Sequence, residues 1–335
     1  MRDPRRMKVL SAQPRVLETP LDALGRQLTP LDSFFVRDHL VLSADRDDGL
    51  ALEGLVDTPL RWSVRSLKRL PAKTITAVLQ CAGNGRSLYT PPISGVQWQH
   101  GGLGQARWTG VPLRVLLARA GVKSTARHVH LFAADVPATA EGHAFTRSVP
   151  LERALHPSTL VAWAMNGESL REAHGAPLRL VVPGWAGDHW VKWLTRLVVA
   201  EQPFDGHYER VYRMPGGPVT VLPVKSVITA PLDGAQVKRR FDVEGIAFSG
   251  AAKIARVEVS LDGGVSWKRA ALTGTGGPGR WVRFRARVAG KGSKIEVLAR
   301  ATDALGQVQP AQGEWNTQGY LWNGWHRVRC VVEPR

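Results

Sequence analysis

The segment Met214-Pro-Gly-Gly-Pro218 does most to limit what this chain can fold into. Proline removes a backbone donor and glycine favours conformations outside regular structure, so no helix or strand runs through it. The two sides read differently. Upstream, residues 63–70 and 113–120 carry helical signals, the second after a Gly-Val-Pro turn, while 74–79, 128–132 and 178–183 read as strands. That mixture predicts an α+β unit with mixed sheets, not a doubly wound one. Downstream, Arg256-Val-Glu-Val-Ser-Leu261 alternates cleanly, Asp262-Gly-Gly264 supplies residues able to adopt positive φ, and Val265-Ser-Trp267 starts a return strand. Residues 281–288 and 295–300 continue the series. The natural reading of 219–335 is an all-β immunoglobulin-like sandwich. Residues 1–30 read as an irregular leading arm, which gives an expected division of 1–30, 31–214 and 219–335.

Composition supports two folded units. The chain has 335 residues, 44% hydrophobic and 22% charged, which is enough apolar material for large cores and excludes a disordered chain. Its 45 Lys and Arg against 28 Asp and Glu leave a net charge of +17. Such a field attracts anionic small molecules and acidic partners, and also fits a plainly basic surface. The basic residues are spread through both halves without forming a tail or stripe, which argues against nucleic acid. The two cysteines, Cys81 and Cys330, exclude a disulfide scaffold and a paired zinc motif. No apolar run follows the basic Met1-Arg-Asp-Pro-Arg-Arg-Met-Lys8, so no secretory signal is read, and nothing reaches membrane-spanning length. The expected compartment is the cytoplasm, or the periplasm if a leader has been removed.

Chemistry concentrates at Cys81 in Val78-Leu-Gln-Cys-Ala-Gly-Asn-Gly-Arg-Ser87. A cysteine ending an apolar strand and followed by Gly83 and Gly85 can point into a cavity while the backbone approaches a ligand. Arg86 supplies a cation that favours thiolate, the form needed for metal binding or nucleophilic attack. A small buried hydrophobe is the plainer alternative for an isolated cysteine. Further polar groups gather in Phe34-Phe-Val-Arg-Asp-His39, in the run from His174-Gly-Ala-Pro-Leu-Arg179 to Val191-Lys-Trp193, and in Tyr320-Leu-Trp-Asn-Gly-Trp-His326.

Together with Cys81-Ala-Gly-Asn84, Ala106-Arg-Trp-Thr-Gly-Val-Pro112, Ala164-Met-Asn-Gly167, Trp315-Asn316 and Trp325-His-Arg327, these segments resemble the sulfite oxidase family of molybdenum enzymes over nearly the whole chain. The resemblance implies a mixed-sheet molybdopterin-binding domain followed by an immunoglobulin-like dimerisation domain, and hence a homodimer. It implies molybdenum held by the dithiolene of molybdopterin, with Cys81 as the one protein ligand. Phe34, Arg37, His39, His174, Arg179, Trp190, Val191 and Lys192 then fall at cofactor contacts, the cations around its phosphate. Asp135 matches an acidic contact to pterin N–H groups. Arg37, Arg86, Trp98, Tyr212 and Gln318 fall in the pocket for a small oxyanion. The implied activity is oxygen-atom transfer, with sulfite oxidised to sulfate. Reduction of another oxyanion or S-oxide, or a non-catalytic polyanion-binding relic of the fold, are the alternatives. Neither a c-type haem motif nor a cysteine-rich iron–sulfur run is present, so electrons are expected to pass to a separate acceptor, a cytochrome or other redox protein.

Four positions depart from the family pattern. Gln318 stands where sulfite-oxidising members carry Arg, Gly85 where some have a second Arg, Asp38 where Asn is common, and Trp190 where a smaller residue is frequent. A hydrogen bond to a charged group contributes about 1.5–3 kcal/mol, so losing the guanidinium at 318 is expected to weaken anion binding tenfold or more.

Overall fold

A computed structural model describes residues 7–43, 49–137 and 142–334. The first half is built on two sheets. One is five-stranded in the order Thr146–Pro150, His128–Ala133, Leu194–Ala200, Gly49–Gly54, Leu60–Ser63. Leu194–Ala200 runs parallel to Gly49–Gly54 and antiparallel to His128–Ala133, so this sheet is mixed. The other sets Lys73–Gln80 against Leu103–Pro112, then Leu160–Met165, all antiparallel. Helix Leu113–Ala120 forms because Leu113, Leu116, Leu117 and Ala120 lie on one face and are all buried.

The expected break at residues 214–218 is a hairpin. Arg213–Met214 pairs with Gly217–Pro218, and the turn needs φ of 100° at Gly216 and 137° at Gly217, which only glycine adopts without strain. Beyond it lie a four-stranded and a five-stranded antiparallel-rich sheet, the two layers of a sandwich. Strand Val282–Ala289 shows why: Val282, Phe284, Ala286 and Val288 point inward while Arg283, Arg285 and Arg287 face solvent. The return strand after the Asp262 turn is Lys268–Arg269, later than the expected start at Val265. The Asp262 carboxylate accepts from the Ser266 backbone N–H, holding residues 263–266 in the turn.

The leading arm is not irregular. Among its described residues, Lys8–Ser11 and Val16–Glu18 form an antiparallel pair, and Val16–Glu18 pairs in turn with Val36–Arg37. Helix Leu21–Leu24 follows. The arm's order comes from a partner some twenty residues away, which no local pattern reveals. Residues 1–6, where the signal was sought, lie outside the described residues. The halves pack tightly, for the Gln105 side chain accepts from the Trp281 backbone N–H at 2.9 Å, and Trp281 and Phe248 join the first half's core. No helix among the described residues is long and apolar enough to cross a membrane.

Candidate active site

Strand Lys73–Gln80 delivers Cys81 to the floor of a cavity whose wall also includes Arg37, His39, Asp135, His174, Arg179 and Lys192. The turn after Cys81 is tied down locally. The Cys81 N–H donates to the Gly102 carbonyl at 2.9 Å and its carbonyl accepts from the Asn84 N–H at 3.0 Å. Asn84 is fully buried and structural: its Oδ1 accepts from the Gly102 N–H and its Nδ2 donates to Gln80 Oε1. Gly85 takes φ of 93° with the Trp322 ring where a Cβ would stand, a combination only glycine tolerates.

The sequence argument for a thiolate from a neighbouring cation needs correction. Burial pushes the Cys81 thiol up, and Arg37, the Gly83 N–H and Arg86 only partly offset it. The free protein holds the neutral thiol, and a bound metal would displace the proton.

Around Cys81 the cations are buried or half-buried and engaged through backbone or one carboxylate. Arg179 donates to the carbonyls of His174 and Trp190, both at 2.9 Å, while its Nε has no partner among the described residues. Burial brings Arg179 down to about 9 and Lys192 to about 8, the latter despite its ion pair with Asp38. His174 falls to about 3, first through burial and then through Arg179 and Lys192, so it is neutral. Asp135 has a buried Oδ1 with no partner, and burial raises its carboxyl to about 7. A carboxyl raised on folding contributes stability fully below its ordinary value of 3.8 and loses it as pH rises towards 7. Chemical denaturation of the cofactor-free chain should therefore show stability falling across that window, with Asp135→Asn flattening the fall.

Tyr212 closes the cavity beside Cys81. Its hydroxyl lies 2.5 Å from His39 Nε2. Burial raises the phenol well above 10 and lowers the imidazole well below 6.5, so a protonated phenol donates to a neutral ring. Behind Tyr212 the fully buried Arg147 pairs with Asp188 and Glu209, each at 2.9 Å, and its guanidinium lies 5.4 Å from the Tyr212 ring centroid.

The remaining expected site residues are placed less directly. Trp190 and Val191 line the cavity, whereas Phe34 packs against Trp108 and His174 and leaves the lining to Phe35. Trp98 is fully buried, edge-on to Phe35 and outside the lining. Arg86 donates through Nε and Nη2 to the Gln318 carbonyl at 3.2 and 2.9 Å, and through Nη1 to that of Val96. The Gln318 side chain itself is exposed. Asp188, Arg147 and Tyr320 were not singled out as site residues. Asp188 lies between Arg179 and Val191, but its partner Arg147 is 41 residues away and carries no local signal.

A single soft thiol among unpartnered buried polar atoms is a donor set that suits a metal bringing further ligands of its own. Residues 42–208 match the model of the oxidoreductase molybdopterin binding domain and 217–333 that of the Mo-co oxidoreductase dimerisation domain. The chain is 34% identical to a mitochondrial sulfite oxidase of Drosophila melanogaster over 97% of its own length and 63% of the relative's. It is 33% identical to a sulfite oxidase of Arabidopsis thaliana over 96% of its length and 93% of that protein's. The solved structure of the sulfane dehydrogenase SoxCD from Paracoccus pantotrophus superposes with a TM-score of 0.81, at 34% identity, covering 97% of this chain and 88% of that one. The chain belongs to the sulfite oxidase family of molybdopterin oxidoreductases. It spans under two thirds of the length of the Drosophila relative.

The site fits the molybdenum cofactor that this family carries. Arg37, Arg179 and Lys192 supply charge for a phosphate. The unpartnered Asp135 Oδ1 and Arg179 Nε offer an acceptor and a donor that the protein alone leaves unsatisfied. Cys81 is the soft donor among them.

Proposed function

We propose that this protein oxidises sulfite to sulfate, using residues 31–214 to hold the cofactor and 219–335 to form a homodimer, and passing electrons to a separate protein acceptor. The observation that carries the reading is the convergence of Cys81, the unpartnered Asp135 Oδ1 and Arg179 Nε, and Tyr212 on one cavity. When bound, the molybdenum–pterin group supplies oxygen-atom transfer and two-electron redox chemistry. Cys81 would ligate the metal, with His39, His174, Trp190, Val191 and Lys192 joining Arg37, Asp135 and Arg179 around the pterin and Phe34 backing His174 from outside the lining. Arg37 and Arg86 would draw in the anion by their charge. Trp98 would support that pocket from beneath through Phe35. The Tyr212 hydroxyl, which donates to His39 in the free protein, would turn that one proton to an oxygen of the substrate when the anion binds. The test is metal and pterin analysis of protein from a cofactor-competent host, followed by sulfite turnover with an artificial electron acceptor. Molybdenum near one per chain with turnover supports the reading, and persistent absence of molybdenum overturns it.

Gln318 sharpens the substrate question. Its side chain is exposed and only its carbonyl touches Arg86, so Gln318→Arg places a guanidinium at the pocket edge without breaking a contact. The variant should lower the sulfite KM about tenfold, the value of one charge-assisted hydrogen bond. A second reading is sulfane sulfur as the substrate. It is favoured because the Arg86 fork is already occupied by the Gln318 and Val96 carbonyls, leaving fewer free donors for a compact dianion. A turnover screen of sulfite against sulfane compounds separates the two.

A further inference from the structure

Tyr320, in the Tyr320–His326 segment, has no part in the mechanism above, yet it lies against two residues that do. Its ring stacks on Tyr212, centroids 5.3 Å apart and planes within 19°, and the Arg86 guanidinium lies 5.3 Å from its centroid. With Arg147 over Tyr212, a continuous series of contacts runs from the buried ion pair behind the cavity to the arginine at its edge. The backbone of Tyr320 is fixed as well. Its N–H donates to Asn316 Oδ1 at 3.0 Å, and its carbonyl accepts from Tyr89 Oη at 2.7 Å and Asn316 Nδ2 at 3.0 Å.

The hydroxyl is the unexplained part. Tyr320 is 5% exposed, and its Oη makes no hydrogen bond among the described residues, whereas the buried Tyr89 and Tyr212 hydroxyls are both engaged. Stacking needs only the ring, so the hydroxyl is left free to meet a ligand. The ring lies between Tyr212, which lines the cavity, and Arg86 of the expected anion pocket. Burial raises the phenol to about 12, which keeps it a donor at neutral pH.

We propose that Tyr320 is a substrate-binding residue whose hydroxyl donates to the oxyanion, from the same loop in which Gln318 lacks the expected guanidinium. This rests on the oxyanion-binding reading of the site. A neutral donor in place of a cation would suit a substrate of lower charge, since it orients an oxygen without demanding a dianion.

Tyr320→Phe removes only the hydroxyl, and Tyr320→Val also removes the stack. In cofactor-loaded protein the Phe variant should raise the sulfite KM, and the sulfate dissociation constant measured by calorimetry, about tenfold, with kcat and cofactor content holding. The Val variant should weaken sulfate further, because Arg86 loses the ring beneath it. Wild-type KM and sulfate binding in the Phe variant overturn the inference, as does a loss of cofactor content with unchanged sulfate affinity, which marks a structural residue. If the unaltered protein neither oxidises sulfite nor binds sulfate, the proposed function fails and takes this inference with it. Sulfite turnover by wild type with an indifferent Phe variant fails the inference alone.

Discussion

Cys81→Ser yields a folded chain that no longer retains molybdenum and turns over sulfite no faster than the cofactor-free protein. The serine oxygen is a hard, weakly acidic donor where the cavity presents one soft ligand, and no neighbouring Cys, His or carboxylate cluster replaces it among the described residues. The substitution changes one atom of a partly buried side chain whose anchoring bonds to Gly102 and Asn84 are made by backbone, so the turn survives. Thermal unfolding of the cofactor-free variant should stay within about 1 kcal/mol of wild type. Metal analysis with turnover is the check, and retained molybdenum with activity would falsify the ligand assignment. Cys330→Ser is the matched control, because Cys330 is 2% exposed inside the sandwich core and far from the chemistry.

The second large effect lies behind the cavity. Arg147 is wholly buried, paired with Asp188 and Glu209, and donates to the Tyr208 carbonyl at 2.9 Å. Removing one member of such a pair strands the others without solvent, so Arg147→Met should destabilise the chain by about 3–5 kcal/mol, read as a shift in denaturation midpoint. Adding Asp188→Leu should recover part of that loss, because the uncompensated charge goes with it, and the two effects should be non-additive. Simple additivity would mean that the pair acts only through packing. The single variant should also weaken the cofactor-loaded enzyme, since the same guanidinium lies against the Tyr212 ring.

Much of this was legible from residues in a row. Helix Leu113–Ala120 follows from the spacing of its buried face, and Lys73–Gln80 from a short apolar run ending at Cys81. The polar groups of the cavity were legible as segments because Arg37 and His39, or His174 and Arg179, lie close together in the chain. What escaped was non-local. The leading arm is ordered by Val36–Arg37, and Arg147 meets Asp188 only after the fold closes. The expectation that Arg86 would favour a thiolate failed because desolvation, invisible in a sequence, outweighs it. Tyr320 escaped because its ring partners, Tyr212 and Arg86, come from distant parts of the chain.

The Arg86 contact to the Gln318 carbonyl joins the half that carries the cysteine to a loop of the other half. On the proposed function the substrate pocket therefore draws on both halves, Arg37 and Arg86 from one and the Gln318 loop from the other. The metal cradle is buried, where almost any change is felt, but the Gln318 side chain and those of Glu314 and Thr317 beside it are exposed, where substitutions are usually mild. On that proposal, a lineage with this fold could trade one sulfur compound for another by rewriting a few exposed positions of that loop while the buried cysteine and its cradle stay as they are.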